Sequence, residues 1–273
     1  MATAVLATTG CAAFEAPPPP RLEKLWVAEG FSAPEGATRA PDGTYFISNV
    51  AGGGTDKDGA GWISRIAGDG RVLDARWAEG LDAPKGMAVH DGALFVADID
   101  RVRSFDAATG EPLDVWPIDG AGFLNDVAVW RGAVYVSDSR TARIHRLEEG
   151  AWPVWREGEV LGGVNGLLGD RKRLLVATMD EGALLEFDAK GAMRTIATGA
   201  VDADGIGLVR GGGVLLSAWR GDIFYVGKDG ALTKLLDSRA EGVLQNDLMT
   251  DGDLVIVPNW RPGTVTGWRL IRE

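Results

Sequence analysis

One segment of about forty residues recurs six times along the chain, and this repeat limits the possible folds more than any other feature. Each copy contains a polar residue, a short and mostly apolar strand, a turn rich in Gly and Asp, and a second apolar strand. Successive copies begin 50, 40, 40, 39 and 42 residues apart, and the longer first interval contains the glycine-rich run 51–61. The six copies begin at Glu35, Lys85, Asn125, Asn165, Asp204 and Asn246.

The continuation of each copy predicts two further strands. In the second copy these cover residues 102–105 and 112–116, and in the fifth they cover residues 222–226 and 231–236. The fifth pair is joined by Lys228-Asp229-Gly230, and an Asp-Gly turn is a strong hairpin signal. Four short strands in about forty residues are typical of a propeller blade, and no long window has the helical period of about 3.6 residues. The sequence therefore predicts an all-β, six-bladed β-propeller.

The last copy lacks a fourth strand, because only three predicted strands begin from Asn246 onward. Residues 22–30, at the other end of the repeat region, read LEKLWVAEG and resemble residues 72–80, which read VLDARWAEG. An N-terminal strand would complete the sixth blade, and closing the ring removes open sheet edges. We therefore expect the propeller to span residues 21–273 and to be closed by its own N-terminal strand.

An excess of acidic residues limits the partners of the chain. Lys and Arg number 28 while Asp and Glu number 39, so the formal net charge is −11. Such a surface repels phosphate backbones, so we expect no nucleic-acid partner. We expect a monomer whose partner is a small-molecule substrate. Cys11 is the single cysteine, which excludes an intrachain disulfide and a cysteine-based zinc site, and there are only two histidines.

The first twenty residues differ in composition from the repeats. The pair Gly10-Cys11 resembles the end of a bacterial lipoprotein signal, and the four prolines 17–20 follow as an extended spacer. No Lys or Arg precedes Cys11 and the apolar stretch is short, which a start codon upstream of Met1 would explain. We expect an exported protein, periplasmic or attached to a membrane only through a lipid on Cys11. The alternative is a disordered tail on a cytoplasmic protein.

The six repeat starts contain the candidate site, because the inner strand of each propeller blade lines a central channel. Their first residues therefore lie around one mouth of that channel. Five of the six offer an oxygen atom, and the carboxylates of Glu35 and Asp204 together would neutralise a divalent cation. A hard, all-oxygen set suits Ca²⁺, and it suits Mg²⁺ or Mn²⁺ less well.

Two alternatives remain open at this mouth. Asn and Asp tolerate turns and could begin strands for that reason alone, although this explains Glu35 less well. Lys85 could pair with Glu35 or Asp204 and take the place of a cation. It could instead lie beside the ion and bind an anionic group of a substrate, which we favour because one ammonium cannot satisfy two carboxylates and three amides.

Four of the repeat starts resemble the senescence-marker-protein/gluconolactonase family, to which regucalcin belongs. The resemblance covers residues 34–270 and lies in the motifs Pro34-Glu35-Gly36, Asn125-Asp126, Asn165-Gly166 and Asp204-Gly205. Residues 83–87 are similar to stretches in uncharacterised bacterial exported members. The resemblance implies metal-assisted hydrolysis of an ester or lactone, with one divalent cation, Ca²⁺ before Zn²⁺ or Mn²⁺. The implied ligands are Glu35, Asn125, Asn165 and Asp204.

Roles for the mouth residues follow from this resemblance and from their positions. Asp204 is the candidate catalytic residue, as metal ligand and general base, because it is one of two acids at the mouth. Lys85 and Asn246 are candidates for orienting the substrate. Phe123 is a candidate for an apolar wall of the substrate site, and it stands where regucalcin-like members carry an arginine that contacts sugar lactones.

Other conspicuous residues are expected to be structural. His90 lies at a predicted hairpin turn and His145 in a predicted third strand, both away from the repeat starts. Trp219 could join the apolar wall, but packing in the core or at the rim is the usual role of a tryptophan. The rival to a hydrolase is a non-catalytic exported propeller that binds a small ligand or a protein at the same mouth, since propellers have both roles.

Overall fold

The computed structural model describes residues 18–272, which form six antiparallel sheets arranged as the blades of a propeller. The first strand of the described residues is β1 (Arg21–Glu29), and the first blade follows it. That blade contains β2 (Pro34–Arg39), β3 (Tyr45–Asn49), β4 (Gly61–Ile66) and β5 (Val72–Leu81). The second blade contains β6 (Pro84–His90), β7 (Ala93–Asp98), β8 (Arg101–Asp106) and β9 (Pro112–Pro117).

The third and fourth blades repeat this order from the innermost strand outward. The third contains β10 (Leu124–Trp130), β11 (Ala133–Asp138), β12 (Arg143–Arg146) and β13 (Val154–Glu157). A short 3-10 helix at Glu159–Leu161 leads to the fourth blade. That blade contains β14 (Val164–Gly169), β15 (Arg173–Thr178), β16 (Ala183–Asp188) and β17 (Met193–Ala197).

The last two blades complete the ring. The fifth contains β18 (Ala203–Leu208), β19 (Val214–Ala218), β20 (Asp222–Val226) and β21 (Leu232–Asp237). A second 3-10 helix, Arg239–Glu241, precedes the sixth blade. The sixth has an interrupted inner strand and contains β22 (Leu244–Gln245), β23 (Met249–Asp251), β24 (Leu254–Arg261) and β25 (Thr264–Ile271).

The predicted closure of the ring by the N-terminal strand is confirmed. β1 pairs antiparallel with β25 from Arg21 opposite Ile271 to Glu29 opposite Thr264, so the outer strand of the sixth blade comes from the opposite end of the chain. The indole of Trp26 in β1 also donates a hydrogen bond to the carbonyl of Gly68, at 3.0 Å, in the first blade. β1 therefore links the last blade to the first as well as completing a sheet.

The core consists of apolar layers between neighbouring blades. Phe46 and Ile63 of the first blade belong to one cluster with Leu94 and Phe105 of the second, and each of these side chains is at most 1% exposed. Comparable clusters lie between the other blades, from the second and third to the sixth and first. The inner strands of each blade are covered on both faces by neighbouring blades, so they are apolar almost throughout, as in β3 and β15.

The predicted positions of the two histidines are also confirmed, since His90 ends β6 at a hairpin turn and His145 lies in β12. Cys11 and the lipoprotein-like segment lie outside the described residues. Within residues 18–272, no helix has both the length and the apolar character to cross a membrane.

Ring closure can be tested with two truncations. Removing residues 1–20 takes away no part of β1 and should leave the melting temperature close to that of the full chain. Removing residues 1–30 deletes β1, exposes the edge of β25 and should lower the melting temperature or cause aggregation. Circular dichroism melts and size-exclusion chromatography measure both effects. Equal melting temperatures for the two truncations would contradict a stabilising role for β1.

Candidate metal centre at the channel mouth

A β-bulge begins the inner strand of each of the first five blades. In the third blade Leu124 pairs with Asp138 and Val127 with Val136, so Asn125 and Asp126 both stand opposite one residue of β11. The same shift occurs in β2, β6, β14 and β18. Bulges bend a strand and change the direction of its side chains, and they are frequent beside active sites. The bulged pairs are Glu35-Gly36, Lys85-Gly86, Asn125-Asp126, Asn165-Gly166 and Asp204-Gly205.

Serine hydroxyls support the bulge in alternate blades. The backbone N–H of Asp126 donates to Ser137 Oγ at 2.9 Å, which replaces the carbonyl that a regular ladder would supply. Ser48 Oγ accepts from the N–H of Gly36 at 2.8 Å, and Ser217 Oγ accepts from the N–H of Gly205 at 2.8 Å. All three serines are fully buried, at 0% exposure. Without their hydroxyls, the backbone N–H groups would be buried and unpaired, which would cost stability. They fix the backbone that presents the site residues.

All six repeat starts are buried, with exposed fractions between 3% and 8%. In the sixth blade Asn246 follows β22, and its N–H donates to the carbonyl of Pro258 at 3.1 Å. Its side-chain amide donates to the carbonyl of Pro34 at 3.1 Å, which links the sixth blade to the first beside Glu35. The side-chain oxygen of Asn246 therefore remains for another partner.

Two oxygens of the predicted ligand set have no hydrogen-bond partner among the described residues. These atoms are Glu35 Oε2 and Asn125 Oδ1, and both are inaccessible to solvent. The Asn125 amide nitrogen donates to Ser139 Oγ at 3.1 Å, so the orientation of this amide is fixed and its oxygen is left over. Interaction with the Asn165 amide lowers the pKa of Asp204, against the larger effect of burial. Buried unpaired acceptors of this kind fit a cation, because a carboxylate or amide oxygen gains a ligand bond that replaces its lost hydration.

No group of three or more His, Cys, Asp or Glu side chains within residues 18–272 is arranged to hold a metal ion. The predicted set contains only two carboxylates, Glu35 and Asp204, and its remaining donors are amide oxygens. Coordination here would therefore depend on Asn125 and Asn165 as much as on the acids.

Lys85 does not form the salt bridges that one alternative required. Its Nζ donates to the carbonyls of Gly54 and Ala83, each at 2.9 Å, and lies 4.5 Å from the ring centre of Phe123. Within the described part of the chain, no carboxylate lies within 4.0 Å of this ammonium. Burial lowers the pKa of Lys85, while the charge of Glu35 acts in the opposite direction. The lysine thus holds the glycine-rich segment against Phe123 and leaves Glu35 and Asp204 without a close cation.

Two further carboxyls, which the sequence analysis omits, belong to the same channel. Asp126 and Asp247 follow the repeat starts of the third and sixth blades. Asp126 accepts from the N–H of Leu167 in the next blade at 2.6 Å, and Asp247 accepts from the N–H of Leu248 at 2.6 Å. The signal that identifies them is the second position of the repeated dipeptide, which is Gly in the other four blades.

Glycine in the neighbouring blade makes room for each of these carboxyls. A Cβ atom at Gly86 would lie 1.9 Å from Asp126 Oδ1, and one at Gly205 would lie 1.8 Å from Asp247 Oδ1. Such distances exclude any larger residue without a backbone shift. Each of these two aspartates is therefore sterically paired with a glycine in the preceding blade.

The four channel carboxyls favour a bound cation electrostatically. Burial is the main cause that raises the pKa of both Asp126 and Asp204 to about 7, and for Asp204 the charge of Asp126 contributes to this rise. Burial, and then the charge of Asp204, hold the pKa of Glu35 well above its ordinary range. Burial and the charge of Asp126 do the same for Asp247. Ionising all four carboxyls together therefore requires a positive charge in the channel.

The aromatic and histidine side chains differ in their relation to the mouth. Phe123 lies against Lys85, whose Nζ is 4.5 Å from the centre of its ring. Trp219 packs edge-on against Trp260, with ring centres 5.9 Å apart, beyond the end of β19. His145 is buried, and its Nδ1 contacts the carbonyl of Trp152 at 3.1 Å.

Comparisons with known proteins concern the fold. No protein-family model matches the sequence, and no curated protein does. Among solved structures, a gluconolactonase from Xanthomonas campestris is 19% identical, with a TM-score of 0.66, and covers 96% of this chain and 99% of its own. A catalytically inactive virginiamycin B lyase from Staphylococcus aureus, solved with quinupristin, is 14% identical, with a TM-score of 0.65, and covers 92% of this chain and 100% of its own.

A chain from a nidogen/laminin complex is also similar, at 15% identity and a TM-score of 0.64, over 82% of this chain and 89% of its own. The structural neighbours thus include gluconolactonase and lyase propellers as well as a component of a protein complex. At these identities the likeness is one of fold, and activity has to be argued from the site itself.

The channel carboxyls predict an unusual dependence of stability on pH. An Asp with a pKa of about 7 when folded and 3.8 in its ordinary state binds its proton more tightly in the folded chain. Its contribution to stability is therefore full below about pH 4 and is lost as the pH rises towards 7. The melting temperature of chelator-treated protein should fall between about pH 5 and about pH 8, and a divalent cation should restore more of it at the higher pH.

Asp126→Asn should reduce this pH dependence, because it removes one of the carboxyls that must ionise in the channel. Asp106→Asn is the control, since Asp106 is exposed and its pKa is lowered by the N–H groups of Thr109 and Ala108. Melting curves in a series of buffers measure both variants. A melting temperature that does not change with pH in the metal-free wild type would contradict the electrostatic argument.

Proposed function

We propose that this propeller is a divalent-metal-dependent hydrolase that acts on a lactone or ester of a small molecule. The observation that carries the proposal is the pair of buried oxygens without hydrogen-bond partners among the described residues, Glu35 Oε2 and Asn125 Oδ1, on the ring of bulged residues at the channel mouth. These oxygens accompany Asn165 and Asp204, which complete the ligand set.

The donor chemistry favours Ca²⁺ over Zn²⁺ or Mn²⁺. Glu35, Asn125, Asn165 and Asp204 offer only oxygen, and neither histidine belongs to the six repeat starts. Zinc sites in proteins usually include nitrogen or sulfur ligands, whereas Ca²⁺ accepts carboxylates and amide carbonyls in flexible geometry. When bound, such an ion would polarise the carbonyl group of an ester and favour the charge that develops on its oxygen.

Asp204 is the proposed general base. Burial raises its pKa to about 7 in the channel without a metal, and a bound cation would lower this pKa and favour the ionised carboxylate, which can accept a proton from an attacking water. Asp126, whose charge raises the pKa of Asp204, would therefore modulate the basicity of Asp204 without touching the substrate.

Substrate binding is assigned to Lys85, Phe123 and Asn246. Phe123 offers an apolar face, and the Lys85 ammonium above it would attract a carboxylate or another electron-rich group of the substrate. The Asn246 oxygen that is not engaged with Pro34 could accept a hydrogen bond from a substrate hydroxyl. Gly54, which bonds to Lys85, would form the edge of the entrance on this side.

The test begins with protein stripped of metal by a chelator. Ca²⁺, Mn²⁺ and Zn²⁺ are added separately, and melting temperature and hydrolysis of a panel of lactones and aryl esters are measured. A ligand that binds only the folded state at a hundredfold excess over Kd stabilises it by about 2.7 kcal/mol, which raises the melting temperature by a few degrees for a chain of this size. Chelation should reverse both the shift and the activity.

Three variants separate the roles. Asp204→Ala should abolish the thermal shift and the hydrolysis together, because it removes a charged ligand and the base. Asn165→Ala removes a neutral ligand, so it should weaken metal affinity but retain activity at high metal concentration. His90→Ala is the control and should change neither. If no metal shifts the melting curve and no substrate is hydrolysed, the hydrolase proposal is wrong, and a non-catalytic propeller that binds a ligand or protein at this mouth is favoured.

A further inference from the structure

One position next to the channel mouth is a serine in the third blade and apolar in the other five. This position follows the residue of the second or, in the sixth blade, the equivalent strand that pairs with the residue before each repeat start. In the third blade, for example, Asp138 pairs with Leu124, and Ser139 follows Asp138. The six equivalent residues are Val50, Ile99, Ser139, Met179, Trp219 and Trp260. The repeat therefore does not require a hydroxyl at this position, because five blades form without one.

The Ser139 hydroxyl links two neighbouring blades. Its Oγ donates to the carbonyl of Val164 in the fourth blade at 2.7 Å and accepts from the side-chain amide nitrogen of Asn125 at 3.1 Å. The backbone of Ser139 is fixed as well, because its N–H donates to the carbonyl of Phe123 at 2.9 Å. One hydroxyl therefore connects Asn125 with the residue that precedes Asn165, so it joins the positions of two implied metal ligands.

The direction of these hydrogen bonds determines which atom of the Asn125 amide faces Ser139. A carbonyl oxygen cannot donate, so the single hydrogen of the hydroxyl lies between Ser139 Oγ and the Val164 carbonyl. The hydroxyl oxygen can then only accept from Asn125, and the amide atom next to it must be the nitrogen. A reversed amide would place two oxygens in contact with no hydrogen between them. Val164 and Ser139 together thus leave Asn125 Oδ1 as the atom without a hydrogen-bond partner among the described residues.

The amide orientation decides whether Asn125 can act as a ligand. An amide oxygen coordinates a cation, whereas the amide nitrogen carries two hydrogens and would repel one. A Ca²⁺ ion lies about 2.3–2.6 Å from its oxygen ligands and is enclosed by them, so a ligand oxygen that is inaccessible to solvent suits an ion better than a larger molecule. Turning the amide would therefore remove a ligand and direct N–H groups towards the ion.

We propose that Ser139 is a positioning residue that selects the oxygen of Asn125 as a metal ligand. The inference rests on the proposed metal-dependent function and deepens it, since it names the group that gives a neutral amide a fixed orientation. Ser139 acts through Asn125 and need not touch the metal. Its effect should therefore be measurable as a change in metal affinity, with no substrate present.

The test measures Ca²⁺ binding to chelator-treated protein by isothermal titration calorimetry. Ser139→Ala removes the hydroxyl and lets the amide turn, so the Kd for Ca²⁺ should rise about tenfold, or about 1.4 kcal/mol. Ser104→Ala is the matched control, because Ser104 Oγ accepts from the N–H of Asp114 at 3.2 Å within the second blade. Loss of that hydroxyl should lower the melting temperature but leave the Kd unchanged.

Asn125→Asp separates positioning from a general effect on the fold. A carboxylate presents an oxygen in either orientation, so in the Asn125→Asp background Ser139→Ala should change the Kd by less than about twofold. Ser139→Thr and Ser139→Val repeat the test without creating a cavity, since they have nearly the same shape and differ in the hydroxyl. The threonine variant should bind Ca²⁺ as the wild type does, and the valine variant should lose affinity as Ser139→Ala does.

The outcomes distinguish this inference from the proposed function. An equal loss of affinity in both backgrounds, or an equal Kd for Ser139→Thr and Ser139→Val, would overturn the role of Ser139 while leaving the metal site in place. Wild-type protein that binds no Ca²⁺ would contradict the proposed calcium site, and this inference with it.

Discussion

A backbone N–H that leaves a β-ladder inside a protein needs another acceptor, and this requirement governs the inner edge of the propeller. The bulge at the start of the inner strand in each of the first five blades turns two residues towards the channel and removes one from the ladder. Ser48, Ser137 and Ser217 supply the missing acceptor in the first, third and fifth blades. The site therefore depends on residues that contact neither a metal nor a substrate but keep the bulge in a single geometry.

The same bulge explains which parts of the site the sequence predicts. The repeat period identifies the six inner strands, the closing strand and the first channel residue of each blade, because these recur at nearly constant spacing. The repeat predicts one channel residue in each blade, but the bulge of the third blade presents two, so Asp126 is missed. Asp247 holds the same second position in the sixth blade, where the inner strand is interrupted, and is missed as well. Their signal is present in the dipeptides Asn125-Asp126 and Asn246-Asp247, where other blades have glycine.

Other features depend on contacts that have no counterpart in the repeat. Lys85 is held by Gly54, which lies in the insertion of the first blade, so no other blade indicates its partners. Asn49, Asp138 and Asn259 occupy equivalent positions and look alike in sequence. Asn49 and Asp138 accept from backbone N–H groups, whereas Asn259 donates to threonine hydroxyls, and the repeat does not predict this difference.

Electrostatics links the stability of the channel to its proposed use. Four carboxyls and one lysine share a space with little access to water, and the lysine is bound to carbonyl groups rather than to the acids. Such a cluster destabilises the folded chain when it is ionised and alone, and it binds a cation strongly for the same reason. Local instability and affinity are here two consequences of the same arrangement.

The pairing of β1 with β25 sets the order in which the molecule can be completed. Arg21 meets Ile271, so the first strand of the propeller in the sequence pairs with its last. Each of the first five blades can form from neighbouring hairpins during synthesis. The ring remains open until β25 is available, and until then Trp26 lacks its position between the last blade and the first. Contacts so distant in sequence slow folding and lengthen exposure of an unpaired sheet edge. The ring can therefore close only after β25 has been synthesised.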